Sequence, residues 1–167
     1  DIIKENQKLL LQIMDNAVEY STLNEKVVKF KPEEVRFVDL LEELKENTRK
    51  TAESKKVELN YGKISSSLVL ESDKQKMLSL LSLFIKFSIQ ITKENSIYLS
   101  AYAYDENNFA VGIKDTKSEI TPYLLKGCSD VSSDEETVSR RNFGFSRFSI
   151  RLANRLVELL SAKKEII

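Results

Sequence analysis

The sequence predicts a two-layer α+β sandwich, with helices grouped against one mixed or antiparallel sheet and a further helix ahead of it. Met77, Leu80, Leu81, Phe84, Phe87 and Ile91 recur at the three- and four-residue spacing of a long helix with one buried stripe. Ile97, Leu99, Ala101 and Ala103 alternate with Tyr98, Ser100, Tyr102 and Tyr104. The polar turn Asp105-Glu106-Asn107-Asn108 then leads into Phe109, Val111 and Ile113, the pattern of a hairpin. No internal repeat or low-complexity tract competes with this reading.

In chain order, residues 3 to about 24 read as a helix, with Ile3, Leu10, Met14 and Ala17 on one stripe and Leu9, Ile13 and Tyr20 widening it. A stripe that broad calls for a partner helix, since alone it leaves much apolar surface in water. Val27 to Phe30 is a short strand candidate, closed by Lys31-Pro32. A helix follows from about Val38, with Asp39 near its start and Phe37, Leu41, Leu44 and Thr48 facing inward. Val57 to Tyr61 alternates as a strand ending at Gly62, and Leu68 to Leu70 gives another. Asp73 is placed to cap the long helix by accepting from first-turn amides.

Beyond the hairpin, Thr116 to Asn142 is polar and irregular and includes the run Ser132-Ser133-Asp134-Glu135-Glu136. We expect a mobile loop there, with one short helical piece near Tyr123 to Lys126. The last helix is expected from about Phe145 to Leu160, with Phe148, Leu152, Leu156 and Leu159 on its core face. Lys163 to Ile167 reads as the opening of a strand. Residues 1–26 are therefore expected to be a helix of a separate unit and residues 27–167 the sandwich, its last strand free to lie beyond Ile167.

Composition narrows the function. The 41% hydrophobic content of 167 residues can build a core, and 31% charged residues fit a soluble surface. Lys+Arg and Asp+Glu both number 26, so no net charge draws the chain to nucleic acid or to an anionic membrane. Neither is expected as a partner. The apolar stretch from Met77 to Ile91 is broken by Ser79, Ser82, Lys86, Ser88 and Gln90, too polar and short to insert in a bilayer. Cys128 stands alone, which excludes an internal disulfide and fits a reducing, cytoplasmic setting; a small packed side chain is its first reading and a reactive thiol its second. The chain starts without Met and its first residues already read as helix, so we expect a piece of a longer protein, one that can carry a membrane anchor elsewhere. There is no histidine and there are four glycines, Gly62, Gly112, Gly127 and Gly144. The commonest general base, metal ligand and phosphoacceptor is thus absent, and a phosphate-cradling loop has little glycine to use.

Five segments carry a resemblance: Leu9 to Asn16 through Tyr20-Ser21, Phe30 to Leu44, Asp73 to Phe87, Val111 to Thr116, and Ile150 to Leu160. In this order they resemble, respectively, the second helix of a dimerisation hairpin, the linker strand and first helix of a catalytic domain, the asparagine-box helix, the strand entering the first glycine box, and the helix behind the second. That is the arrangement of the sensor histidine kinases, and the resemblance spans nearly the whole chain. It implies a nucleotide site whose parts can be set against the residues present. The family's asparagine, which helps hold magnesium, aligns with Leu83, while Lys86 and Phe87 match the family pattern. The first glycine box reads Asp115-Thr116-Lys117-Ser118-Glu119-Ile120, so Asp115 fits the acceptor of the adenine amino group and Lys117 and Glu119 stand where the family has its two glycines. The second aligns with Arg147-Phe148-Ser149-Ile150, Gly144 lying out of register.

Each candidate has a plainer reading: Asp115 as a turn aspartate closing a strand, Lys86 as a solvated lysine, Arg147 as a solvated arginine rather than a phosphate ligand. Leu83, Lys117, Glu119 and Ser149 each occupy a position where the family's chemistry wants another residue. The resemblance therefore implies a non-catalytic, kinase-like module of a two-component system with no cofactor. Its expected partners are a second copy through the first helix, or a kinase or response-regulator domain. The alternative is a working ATP- and magnesium-dependent histidine kinase domain with divergent boxes. A docking scaffold for receiver domains is a third reading, without its own phosphate-accepting imidazole. Tyr98, Tyr102 and Tyr104 share one strand face, either as a contact patch or half-covered by neighbouring chain.

Overall fold

The computed structural model describes residues 2–24, 30–93, 95–105, 108–115 and 147–162. Along the chain come α1 (Ile2–Asn24), β1 (Glu33–Arg36), α2 (Phe37–Lys55), β2 (Glu58–Ile64), β3 (Val69–Ser72), α3 (Lys74–Ile91), β4 (Ser96–Ala103), β5 (Phe109–Asp115) and α4 (Arg147–Leu159). β4 is central in one ladder, parallel to β2 and antiparallel to β5, while β1 and β3 pair antiparallel in a second. The expected single sheet is thus met as a mixed three-stranded sheet and a separate two-stranded ribbon among the described residues. The Phe37 N–H donates to the Leu68 carbonyl at 2.9 Å, which ties the ribbon to the start of α2.

Most of the hairpin lies where alternation places it: Ile97, Leu99 and Ala101 are buried and Tyr98 and Tyr102 face outward, Tyr102 being 50% exposed, whereas Ala103 is exposed and Tyr104 follows the end of β4. The first strand differs from expectation. Phe30 is not in a strand, residues 27–29 lie outside the described ones, and β1 begins only after Pro32. Proline has no N–H to give to a ladder, so it sits ahead of the strand rather than closing one. Nor does β2 stop at Gly62: it runs to Ile64, with its register against β4 shifting between Tyr61 and Ile64 as at a bulge.

Helix α3 has more than the one buried stripe its spacing suggests. Met77, Leu78, Leu81, Ile85 and Ile89 join the main core with Leu40 and Leu44 of α2 and Ile97 and Leu99 of β4. Leu80 and Leu83 enter a second cluster with Leu23 of α1 and Leu152, Ala153 and Leu156 of α4. The helix is therefore packed on two sides, which a single-stripe reading underestimates. Asp73 caps it as expected, accepting from the Lys76 N–H at 3.1 Å; it also accepts from the Lys31 N–H at 3.0 Å. Helix α2 ends at Lys56, which takes the left-handed conformation (φ 57°) and returns its N–H to Ala52 and Glu53.

Helix α1 finds its partner in α4, along the Tyr20 edge of the expected stripe rather than its centre. Asn16 and Leu23 are buried on the α4 side, while Ile3, Leu10 and Met14 remain exposed. The apolar residues of α1 occupy more than one side of the helix, and the side that docks is the one whose polar member finds a hydrogen-bond partner on α4. The expected loop from Thr116 to Asn142 and the strand opening at Lys163 lie outside the described residues. Among the described residues, no helix is long and apolar enough to cross a membrane.

Candidate functional site

Leu83 sits on the side of α3 that meets α1 and α4, and is 7% exposed. It belongs to one buried apolar cluster with Leu23, Leu80, Leu152, Ala153 and Leu156. One turn further along α3 comes Lys86, partly buried and within electrostatic reach of Glu19 on α1. Burial pushes its ammonium down from the ordinary lysine value, and the Glu19 carboxylate pulls it back up. Lys86 is thus partly buried rather than fully solvated as its plainer reading has it.

Ser149 lies in the first turn of α4 and is 1% exposed. Its hydroxyl accepts from Asn16 Nδ2 of α1 at 2.7 Å. Further along the same pair of helices, Arg155 Nε donates to the Leu23 carbonyl at 3.3 Å. Contact advances from Asn16 to Leu23 as it advances from Ser149 to Arg155, so α1 and α4 run in the same direction. Ser149 bonds α1 directly, Leu83 shares a cluster with Leu23 of α1, and Lys86 lies within electrostatic reach of Glu19.

Asp115 stands apart from that group, as the last residue of β5, paired with Ile97 and buried. Its Oδ2 accepts from Thr92 Oγ1, the residue that ends α3, at 3.2 Å. Asp115 thus closes a strand, as its plainer reading has it, with its carboxylate buried. Arg147 opens α4, but its side chain is not among those described, and Lys117 and Glu119 lie outside the described residues. An open groove of about 680 Å³ lies between α2 and β2, lined by Glu42, Lys45, Arg49, Glu53 and Tyr61 among others. It includes none of Leu83, Lys86, Asp115 or Ser149.

Sequence reasoning placed Leu83, Lys86, Asp115 and Ser149 but missed their partners Leu23, Glu19, Thr92 and Asn16. Asn16 carries the one available signal, an asparagine inside an amphipathic helix, where its short amide is a poor helix former unless something receives it.

No protein-family model and no curated protein matches the chain. Solved structures do. Full-length ShkA in complex with AMPPNP superposes with a TM-score of 0.68 at 18% identity, over 96% of this chain and 33% of that one. The histidine kinase AdeS of Acinetobacter baumannii gives 0.64 at 12% identity over 93% of this chain and 70% of its own. A histidine kinase from Burkholderia phymatum STM815 gives 0.50 at 17% identity, with the same coverages of 93% and 70%. The chain spans a third of the length of the ShkA chain. At these identities the likeness is one of fold, and the chain has the α+β fold of histidine-kinase ATP-binding domains.

Proposed function

We propose that this chain is a non-catalytic, kinase-like module of a two-component signalling protein, acting by contact with other domains. One observation carries the reading. Leu83, aligned with the family's magnesium-holding asparagine, is enclosed by leucines of α1, α3 and α4. Magnesium takes hard oxygen ligands, and a leucine among leucines supplies none, so the residues there do not fit the ion. Phosphoryl transfer rests on positioning and on charge neutralisation by that metal, hence a site without it has lost most of its chemistry. Lys117, Glu119 and Ser149, in place of box glycines, support the same reading, and no cofactor belongs to it.

The partners in this reading are a second copy of the chain or another kinase or response-regulator domain. Ile3, Leu10, Leu11, Met14 and Val18 leave an exposed apolar side on α1, which supports pairing through that helix. Sedimentation of the chain and of a Leu10→Glu variant tests this, with loss of self-association expected in the variant. The outward Tyr98, Tyr102 and Tyr104 offer a second surface of contact character.

A working ATP-dependent kinase domain is the second reading, favoured by the buried carboxylate of Asp115 at the position of the adenine acceptor. Lys86 and Arg147 would be its phosphate contacts. Calorimetric titration with ATP and magnesium decides between the two. No heat and no thermal shift at millimolar nucleotide is the result expected for the non-catalytic module. Micromolar binding that is abolished by Asp115→Asn, with release of γ-phosphate, would overturn it.

A further inference from the structure

We propose that the Asn16–Ser149 hydrogen bond holds α1 on α4 in one axial register, so that α1 moves, when it moves, by a whole helical turn. The bond is buried, with Asn16 8% and Ser149 1% exposed, and the buried apolar residues of the same two helices are Leu23, Leu152, Ala153 and Leu156. Leucine packing alone is permissive of register, because one leucine substitutes for another after a one-turn slide. A buried amide is not permissive: its partner is at one height only, and a buried polar group without a partner carries its full desolvation penalty. Sliding α1 by one turn toward the end of α4 carries the Asn16 amide from Ser149 to Leu152 and Ala153, both apolar and buried. This is the use of a buried polar residue best attested in helix pairs, the choice of one register at some cost in stability.

Two further contacts act with it. Arg155 Nε binds the Leu23 carbonyl near the end of α1, and Asp73 holds the Lys31 N–H shortly after it. The exposed apolar side of α1, with Ile3, Leu10 and Met14, is thereby set at one height and angle relative to the sandwich. A partner that seizes that side and turns α1 must break the Asn16–Ser149 bond first. Positions 83 and 149, set where the family's boxes would lie, here serve this grip. The inference stands on the packing and holds whether or not nucleotide binds, so the ATP titration and the measurement below fail independently.

The test is a spin-label distance in the full chain, with labels at Gln7→Cys on α1 and Lys50→Cys on α2 in a Cys128→Ser background. The otherwise unaltered chain is expected to give one narrow distance that survives dilution with unlabelled chain. Asn16→Leu combined with Ser149→Ala removes both polar groups together. It is expected to add a second distance, displaced by up to about 5.4 Å, one helical turn, while its melting midpoint stays level or rises. If that variant fails to fold, Ser149→Ala alone is read for the second distance, with a lowered melting midpoint expected because the Asn16 amide loses its acceptor. One narrow distance at the parental value in the folded variant overturns the proposal, since packing then sets the register unaided. A broad parental distribution, or a distance lost on dilution, overturns it equally, since α1 is then not held on its own α4.

Discussion

Thr92 Oγ1 donates to Asp115 Oδ2 across 3.2 Å, joining the residue that ends α3 to the last residue of β5. Asp115 is 3% exposed, and a carboxylate at that depth depends on the donors that reach it. Thr92→Val keeps the shape of the side chain and removes the hydroxyl. It is expected to lower stability by about 1–3 kcal/mol, read as a lower urea midpoint at unchanged slope. An unchanged midpoint would mean that the remaining contacts of Asp115 suffice.

Asp73 gathers three donors from two residues on one carboxylate: the Lys31 amide, the Lys76 amide and the Lys76 ammonium. Burial pushes its carboxyl up, but the bonds from the Lys76 side chain and the two amides, with the Lys76 charge, outweigh burial and hold it below the ordinary value. A carboxylate depressed in the folded state contributes stability above its unfolded value, near pH 4, and that stability is lost as pH falls through the folded value. Asp73→Asn keeps an acceptor for the cap and removes the charge, so its stability is expected to fall less steeply below about pH 4 than the parent's. Asp73→Ala is expected to cost about 1–2 kcal/mol at pH 7 from the cap alone, with the Lys31 bond in addition. Parallel acid-side slopes for parent and Asp73→Asn would remove Asp73 from the account of acid sensitivity.

Asp73 was readable as a cap because an aspartate directly precedes an apolar helical run, a signal contained within one turn. The hairpin was readable because its alternation covers both strands and their turn. Strand β1 was not, since only Val35 of Glu33–Arg36 is buried and four residues with one buried member carry no period. The docking side of α1 was not readable either. Apolar residues lie on several sides of that helix, and the choice is made by Ser149, 133 positions away from Asn16. The candidate positions Leu83, Lys86 and Ser149 were visible through the family resemblance, but their common relation to α1 is a tertiary fact that no local pattern contains.

Lys86 illustrates that relation through its charge. Burial lowers its folded value, and Glu19 of α1 raises it in part. Between the folded value and the unfolded one, near pH 10.4, the unfolded chain binds more protons, so this group makes stability rise with pH across that window and penalises the folded state below it. Lys86→Met removes the penalty and keeps the stem. The variant is expected to melt above the parent at pH 7, and the gap is expected to narrow as pH is raised toward about 10. Glu19→Gln, which removes the compensating charge, is expected to melt below the parent at pH 7. A gap independent of pH would show that packing, and not the ammonium, separates Lys86→Met from the parent.

Leu83→Asn restores the side chain that the family resemblance places at this position, and its outcome follows from the cluster around it. The substitution removes buried methyl groups and puts an amide among Leu23, Leu80, Leu152 and Leu156. Lost transfer free energy, a residual cavity and an unpaired amide act in the same direction, for an expected cost of about 3–5 kcal/mol. Leu83→Met conserves volume and apolarity and is expected to cost less than about 1.5 kcal/mol. Urea denaturation of the two variants separates the contributions. ATP and magnesium are expected to leave the midpoint of Leu83→Asn unmoved, because α1 and α4 enclose the position and the new amide has no solvent-facing side from which to meet an ion. A magnesium-dependent rise in that midpoint would show instead that α1 leaves the cluster readily and that position 83 opens to a nucleotide.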